Sequence, residues 1–156
     1  MNAQVPQVFI DTNVWFSAFY GSRACEILIK AHIQGNITAV ISQQVLSEIV
    51  KNLQLKIPRA LPKFQQFVKA SPPLMLADPK TIDKRIYGLI NKKDQAIFSA
   101  CLRSSIKIPY FITGNIKHFS REKLEKITDI KILTPTEAVK RFISTRQLHQ
   151  RQLAWF

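Results

Sequence analysis

Val8-Phe9-Ile10-Asp11-Thr12-Asn13-Val14 decides the fold. Its first three residues form a short apolar run that reads as a buried strand, and a carboxylate follows at once. In an open α/β sheet, ligands bind just beyond the carboxyl ends of the strands. Asp11 therefore stands where such folds do their chemistry. It is also one of only ten acidic residues, set against 23 Lys and Arg. A carboxylate kept at a strand end of so basic a chain raises the question of a divalent cation held against a polyanion.

Similar runs recur at Ala39–Ile41, Leu74–Ala77, Tyr110–Ile112 and Ile130–Leu133, with helix-like segments between them. Alternation of this kind predicts one α/β domain around a mostly parallel sheet of about five strands. Ser42 is placed to cap a helix carrying Val45, Leu46, Ile49, Val50 and Leu53. The stretch from Ser42 to Lys69 reads as two helices broken near Pro58 or Pro62. Gly35 suits the C-terminus of a helix over Cys25–Gln34. Thr134-Pro135-Thr136-Glu137 reads as a helix start with Thr134 as N-cap, Pro135 at the first position and Glu137 closing a capping box. From Lys140 to Phe156 the chain is basic and ends in Trp155-Phe156. This end could extend the last helix, pack on a second subunit or fray.

The 156 residues and 46% apolar content fit a single domain with a substantial core. No window approaches the ~20 apolar residues of a membrane span, and Met1–Gln7 lacks the basic and apolar regions of a secretion signal. The expectation is a cytoplasmic protein whose two cysteines, Cys25 and Cys101, are buried reduced thiols. The formal charge of +13 points first to nucleic acid, although an anionic membrane surface or an acidic protein would also answer it. The basic residues are dispersed, as on a folded surface rather than a disordered tail.

Around Asp94 the pattern is more telling. Ile97, Phe98, Cys101 and Leu102 follow it at helical spacing, so on a helix from about Lys93 to Arg103 Asp94 lies above an apolar stripe. A carboxylate on that face needs a metal, a basic side chain or backbone amides as partner; alternatively it simply favours the helix N-terminus. Glu48 lies on the flank of the Ser42 helix stripe, and taken alone would be an ordinary surface glutamate. Tyr110-Phe111-Ile112-Thr113-Gly114-Asn115 is another strand running into a small turn. In a parallel sheet, these points converge on one edge. Oxygen ligands of this kind suit Mg²⁺ or Mn²⁺. No Cys/His spacing supports zinc, no Gly-rich loop cradles phosphate, and no serine elbow supports a hydrolase triad. Lys92, Lys93, Lys117 and His118 are the nearest candidates to hold a nucleic-acid backbone, or else form a solvated rim.

The ordered set Phe9-Ile10-Asp11-Thr12-Asn13-Val14, Ile41-Ser42 through Glu48, Asp94 through Cys101, Ile112-Thr113-Gly114-Asn115 with Lys117-His118-Phe119, and Leu133-Thr134-Pro135-Thr136-Glu137 resembles the PIN domain nucleases. Within them it is similar to the toxin components of bacterial toxin–antitoxin pairs. The resemblance implies a Rossmann-like α/β/α sandwich, a PIN domain over residues 1–142 with a basic C-terminal extension over 143–156, and metal-dependent cleavage of RNA. By position it makes Asp11, Glu48 and Asp94 the catalytic acids and the ligands of Mg²⁺ or Mn²⁺. Asp11 and Asp94 would hold the cation, while Glu48 would ligate a second ion or orient the attacking water. Many family members carry a fourth acid where this chain has Asn115, which offers a carbonyl oxygen but no charge. Thr12 or Asn13 would support the first carboxylate. Thr113, like Ser42, would contact the phosphate or stand behind the ligands. The implied partners are RNA, a cognate antitoxin and a second copy in a homodimer, with no membrane. The alternative is a catalytically weak or inactive domain that binds RNA or an antitoxin. Trp15, Phe16 and Phe19 fit either the core or an interface.

Overall fold

The computed structural model describes residues 4–144. Five short strands form one parallel sheet: β1 Gln7–Ile10, β2 Thr38–Ser42, β3 Leu74–Leu76, β4 Tyr110–Ile112 and β5 Lys131–Leu133. Their order across the sheet is β3-β2-β1-β4-β5. The expected strands are all present, each end within one residue of its expected place. The helices are α1 Thr12–Tyr20, α2 Arg23–Ile33, α3 Gln43–Lys56, α4 Leu61–Ala70, α5 Lys92–Leu102, α6 Arg121–Ile127 and α7 Pro135–Phe142. The protein is a Rossmann-like α/β fold, a parallel sheet with helices packed on both faces.

Chain order and sheet order together locate the site. From β1 the chain steps outward to β2 and β3, then returns to place β4 on the other side of β1. Right-handed crossovers put α1–α4 on one face and α5 and α6 on the other. The direction of winding reverses between β1 and β4, and the crevice beyond their carboxyl ends is the expected ligand position. Asp11 directly follows β1, and Thr113 directly follows β4.

Packing on both faces explains why these strands are apolar throughout. Phe9 stacks on its register partner Phe111 at 5.2 Å between centroids, and Phe98 of α5 meets Phe111 edge-on at 5.1 Å. On the other face Trp15 is fully buried against Phe64 and Phe67 and donates its indole N–H to the carbonyl of Ile10 at 2.9 Å. Trp15 is thus core, while Phe16 and Phe19 are half-buried against it. His32 ties three elements together: Nδ1 accepts from Ala39 N–H at 3.0 Å, and Nε2 donates to the Ser71 carbonyl at 2.9 Å. Cys25 and Cys101 are buried and free.

Local boundaries follow local chemistry. Ser42 caps α3 by accepting from Val45 N–H. Pro58 opens a 3-10 turn that separates α3 from α4, while Pro62 sits harmlessly in the first turn of α4. The helix is therefore broken at Pro58. Gly35, at φ 81°, ends α2 in the left-handed region that glycine tolerates. Thr134 and Glu137 form the full reciprocal capping box of α7. That helix ends at Phe142, and Ile143 is extended. Residues 145–156, including most of the basic extension and the Trp155-Phe156 end, lie outside the described residues. Among the described residues no helix is long and apolar enough to cross a membrane.

Candidate active site

Asp11 is the buried centre of the site, 2% exposed. It is the N-cap of α1, and its Oδ1 accepts from Thr12 N–H at 2.8 Å. Its Oδ2 accepts from the Thr113 hydroxyl at 2.9 Å and from Asn13 Nδ2 at 3.3 Å. Burial pushes its pKa up from 3.8 to about 6. The Thr113 and Thr12 hydrogen bonds pull it down, while the carboxylates of Asp94 and Glu48 add a smaller upward repulsion. Three acids from β1, α3 and α5 therefore lie within electrostatic reach of one another.

The supporting roles are divided differently from the expected pattern. Asn13 does brace Asp11 by its side chain, and Thr12 does so through its backbone. The Thr12 hydroxyl instead donates to Glu48 Oε2 at 2.6 Å. Gln44, one turn earlier on α3, donates to Glu48 Oε1 at 3.3 Å. Glu48 is half-buried and drawn inward rather than left as a surface glutamate. Thr113 is wholly buried and bonded to Asp11, and Ser42 is wholly buried as a helix cap.

Gly114 is the tight point of the second loop. Its N–H donates to Asn13 Oδ1 at 2.8 Å, and a Cβ there would stand 3.0 Å from the same oxygen. Any larger residue would force the Asn13 side chain to give by a few tenths of an ångström, so glycine suits this close approach of the two loops. This contact also orients the Asn13 amide, turning Nδ2 toward Asp11. Asn115 is half-buried and donates its backbone N–H to Thr113 Oγ1 at 3.1 Å.

Asp94 lies in the first turn of α5 and is 8% exposed. Its Oδ2 meets Nδ1 of His118 at 3.1 Å. The buried carboxylate thus has the partner its position demands, and that partner is a residue expected on the nucleic-acid rim. Lys92 and Lys93 are exposed in the same helical turn as Asp94, and Lys117 is exposed beside His118. All three basic residues are sequence neighbours of the Asp94–His118 pair.

Two further residues, Gln44 and Asp78, support the site. Asp78, just after β3, accepts the backbone N–H of Gln44 at 2.9 Å and so steadies the residue that holds Glu48. The i, i+4 spacing of Gln44 and Glu48 was visible, but the contribution of Asp78 depends on strand order.

Among the described residues no three His, Cys, Asp or Glu side chains close into a metal cage. The donor set nonetheless fits a hard divalent ion. It is made of carboxylate oxygens, and burial, with a smaller repulsion from Asp94 and Glu48, holds the Asp11 carboxyl near pKa 6. A cation placed among Asp11, Glu48 and Asp94 would reverse that repulsion.

A family model described as PIN domain matches residues 8–152. A search of curated proteins returned no match.

Proposed function

The chain belongs to the PIN domain family of nucleases, and from that premise we propose that it is a metal-dependent endoribonuclease hydrolysing RNA phosphodiester bonds. The observation that carries this reading is the convergence of Asp11, Glu48 and Asp94 at the carboxyl edge of a parallel sheet in a chain of net charge +13. Asp11 and Asp94 would hold Mg²⁺ or Mn²⁺, with Glu48 orienting the attacking water and Asn115 offering a carbonyl oxygen. Such an ion lowers the pKa of water and offsets charge on the phosphate. Thr12 and Gln44 fix the Glu48 carboxylate, and Thr113 and Asn13 fix that of Asp11. Lys92, Lys93 and Lys117 would hold the RNA backbone by neutralising phosphates.

The finer reading is a cytoplasmic toxin held by a cognate antitoxin and working as a homodimer. It is supported by the likeness of the Asp-Thr-Asn and Thr-Gly-Asn motifs to those of such toxins. A small neighbouring gene whose product co-purifies with this protein would support it, and a lone gene would count against it.

A second reading has one specific observation behind it. Asn115 supplies no charge where many family members have an acid, which favours weak catalysis or RNA binding alone. The deciding experiment incubates the protein with mixed RNA in Mn²⁺ or Mg²⁺, with EDTA and Asp94→Asn as controls. Cleavage lost in both controls is expected. Binding without cleavage, unchanged by Asp94→Asn, overturns the nuclease reading.

A further inference from the structure

We propose that His118 is a positioning residue for Asp94: it grips one carboxylate oxygen through Nδ1 and so presents the other to the site. The inference rests on Asp94 being a cation ligand, as proposed above. A ring nitrogen facing a carboxylate must carry the proton to form a hydrogen bond, so Nδ1 donates to Oδ2 at 3.1 Å. His118 engages Oδ2 alone and leaves Oδ1 to the site.

The backbone around His118 is built to hold this geometry. The His118 carbonyl accepts from the N–H of Asn91, the N-cap of α5, at 3.0 Å. On either side, Ile90 and Phe119 form an antiparallel bridge, and Ser120 N–H donates to the Leu89 carbonyl at 2.7 Å. Phe119 is buried against Phe98 and Phe111. The imidazole therefore springs from a segment stitched to the very turn that carries Asp94. A rim residue waiting for a phosphate needs no such bracing. Its nitrogen Nδ1 is also already engaged, which leaves only Nε2 for any other partner.

Three substitutions separate positioning from RNA contact. His118→Asn keeps a donor near the Nδ1 position, His118→Gln places one near Nε2, and His118→Ala keeps neither. The readout is Mn²⁺ affinity by calorimetry without RNA, with RNA binding in EDTA measured alongside. Loss of a residue that orients a ligand typically weakens metal affinity by about 10–100-fold. That loss is expected for His118→Ala and His118→Gln, with His118→Asn staying within about threefold of the parent on the same scale. Equal Mn²⁺ affinity in all three, with RNA binding lowered instead, overturns positioning in favour of a rim contact. Equal loss in all three, His118→Asn included, also overturns it. A parent protein that takes up no Mn²⁺ refutes the cation reading itself, and this inference with it.

Discussion

Replacing the central acid should make the cation-free protein more stable. Asp11 is buried with a pKa raised from 3.8 to about 6. A raised carboxylate pKa means that ionisation opposes folding. The penalty is absent well below the unfolded value of 3.8, grows as the pH rises through the interval to about 6, and is complete above it. Over that interval it amounts to roughly 3 kcal/mol near neutral pH and about half a kcal/mol at about pH 4. Asp11→Asn removes the charge but disturbs the hydrogen bonds. One amide oxygen can still accept from Thr12 N–H, while the amide nitrogen faces Asn13 Nδ2, a donor held in place by Gly114. That mismatch costs about 1–2 kcal/mol. The net expectation is stabilisation by about 1–2 kcal/mol near neutral pH, turning to destabilisation of about 1 kcal/mol at about pH 4. Urea unfolding followed by circular dichroism in EDTA at the two pH values measures both. Added Mg²⁺ should then stabilise the parent and leave the variant almost unmoved. A variant less stable than the parent near neutral pH, or a difference that does not change with pH, would refute the electrostatic reasoning.

Other substitutions test the supports. Thr113→Val removes the buried hydroxyl that Asp11 accepts from; a loss of about 1–3 kcal/mol near neutral pH is expected in the same urea assay, and an unchanged midpoint would show that the bond contributes nothing. Gly114→Ala pushes a methyl to 3.0 Å from Asn13 Oδ1. Displacing that side chain should lower stability by about 1–2 kcal/mol in thermal melts, and a neutral result would mean that the two loops part without cost. His32→Phe keeps the ring but leaves Ala39 N–H and the Ser71 carbonyl without their partner. About 2 kcal/mol or more should be lost by urea unfolding; tolerance would mean that water replaces both bonds.

What could be read in advance divides along the distance over which a residue's fate is decided. Strands β1, β2 and β4 declare themselves because both faces are covered, so their residues are apolar without alternation. The α7 start is legible because a capping box closes within four residues. Asp94 announces its need for a partner by sitting over an apolar stripe, but the stripe cannot say which partner. His118 is 24 residues away and meets Asp94 only because Phe119 anchors its turn beneath α5. The exchange of roles at Thr12 has the same origin. Its backbone serves the neighbouring Asp11, a local matter, whereas its hydroxyl serves Glu48 at a separation of 36 residues. His32 gave no sign of its double bond, since both of its partners are backbone groups, which composition does not reveal.

The stitching of the first loop to the fourth bears on when this protein can act during its own synthesis. Thr113 reaches Asp11, and Gly114 reaches Asn13, across 102 and 101 residues. A nascent chain leaves the ribosome N-terminus first and folds as its segments emerge. β1, β2 and β3 can pair while β4 is still unmade, but Asp11 then lacks its hydroxyl donor and Asp94 lacks His118. The acidic edge is therefore completed only after most of the chain has been translated. For a protein proposed to cut RNA, the surroundings in that interval are ribosomal RNA and the message itself. A strand order that inserts β4 beside β1 keeps the unfinished chain from carrying a finished site.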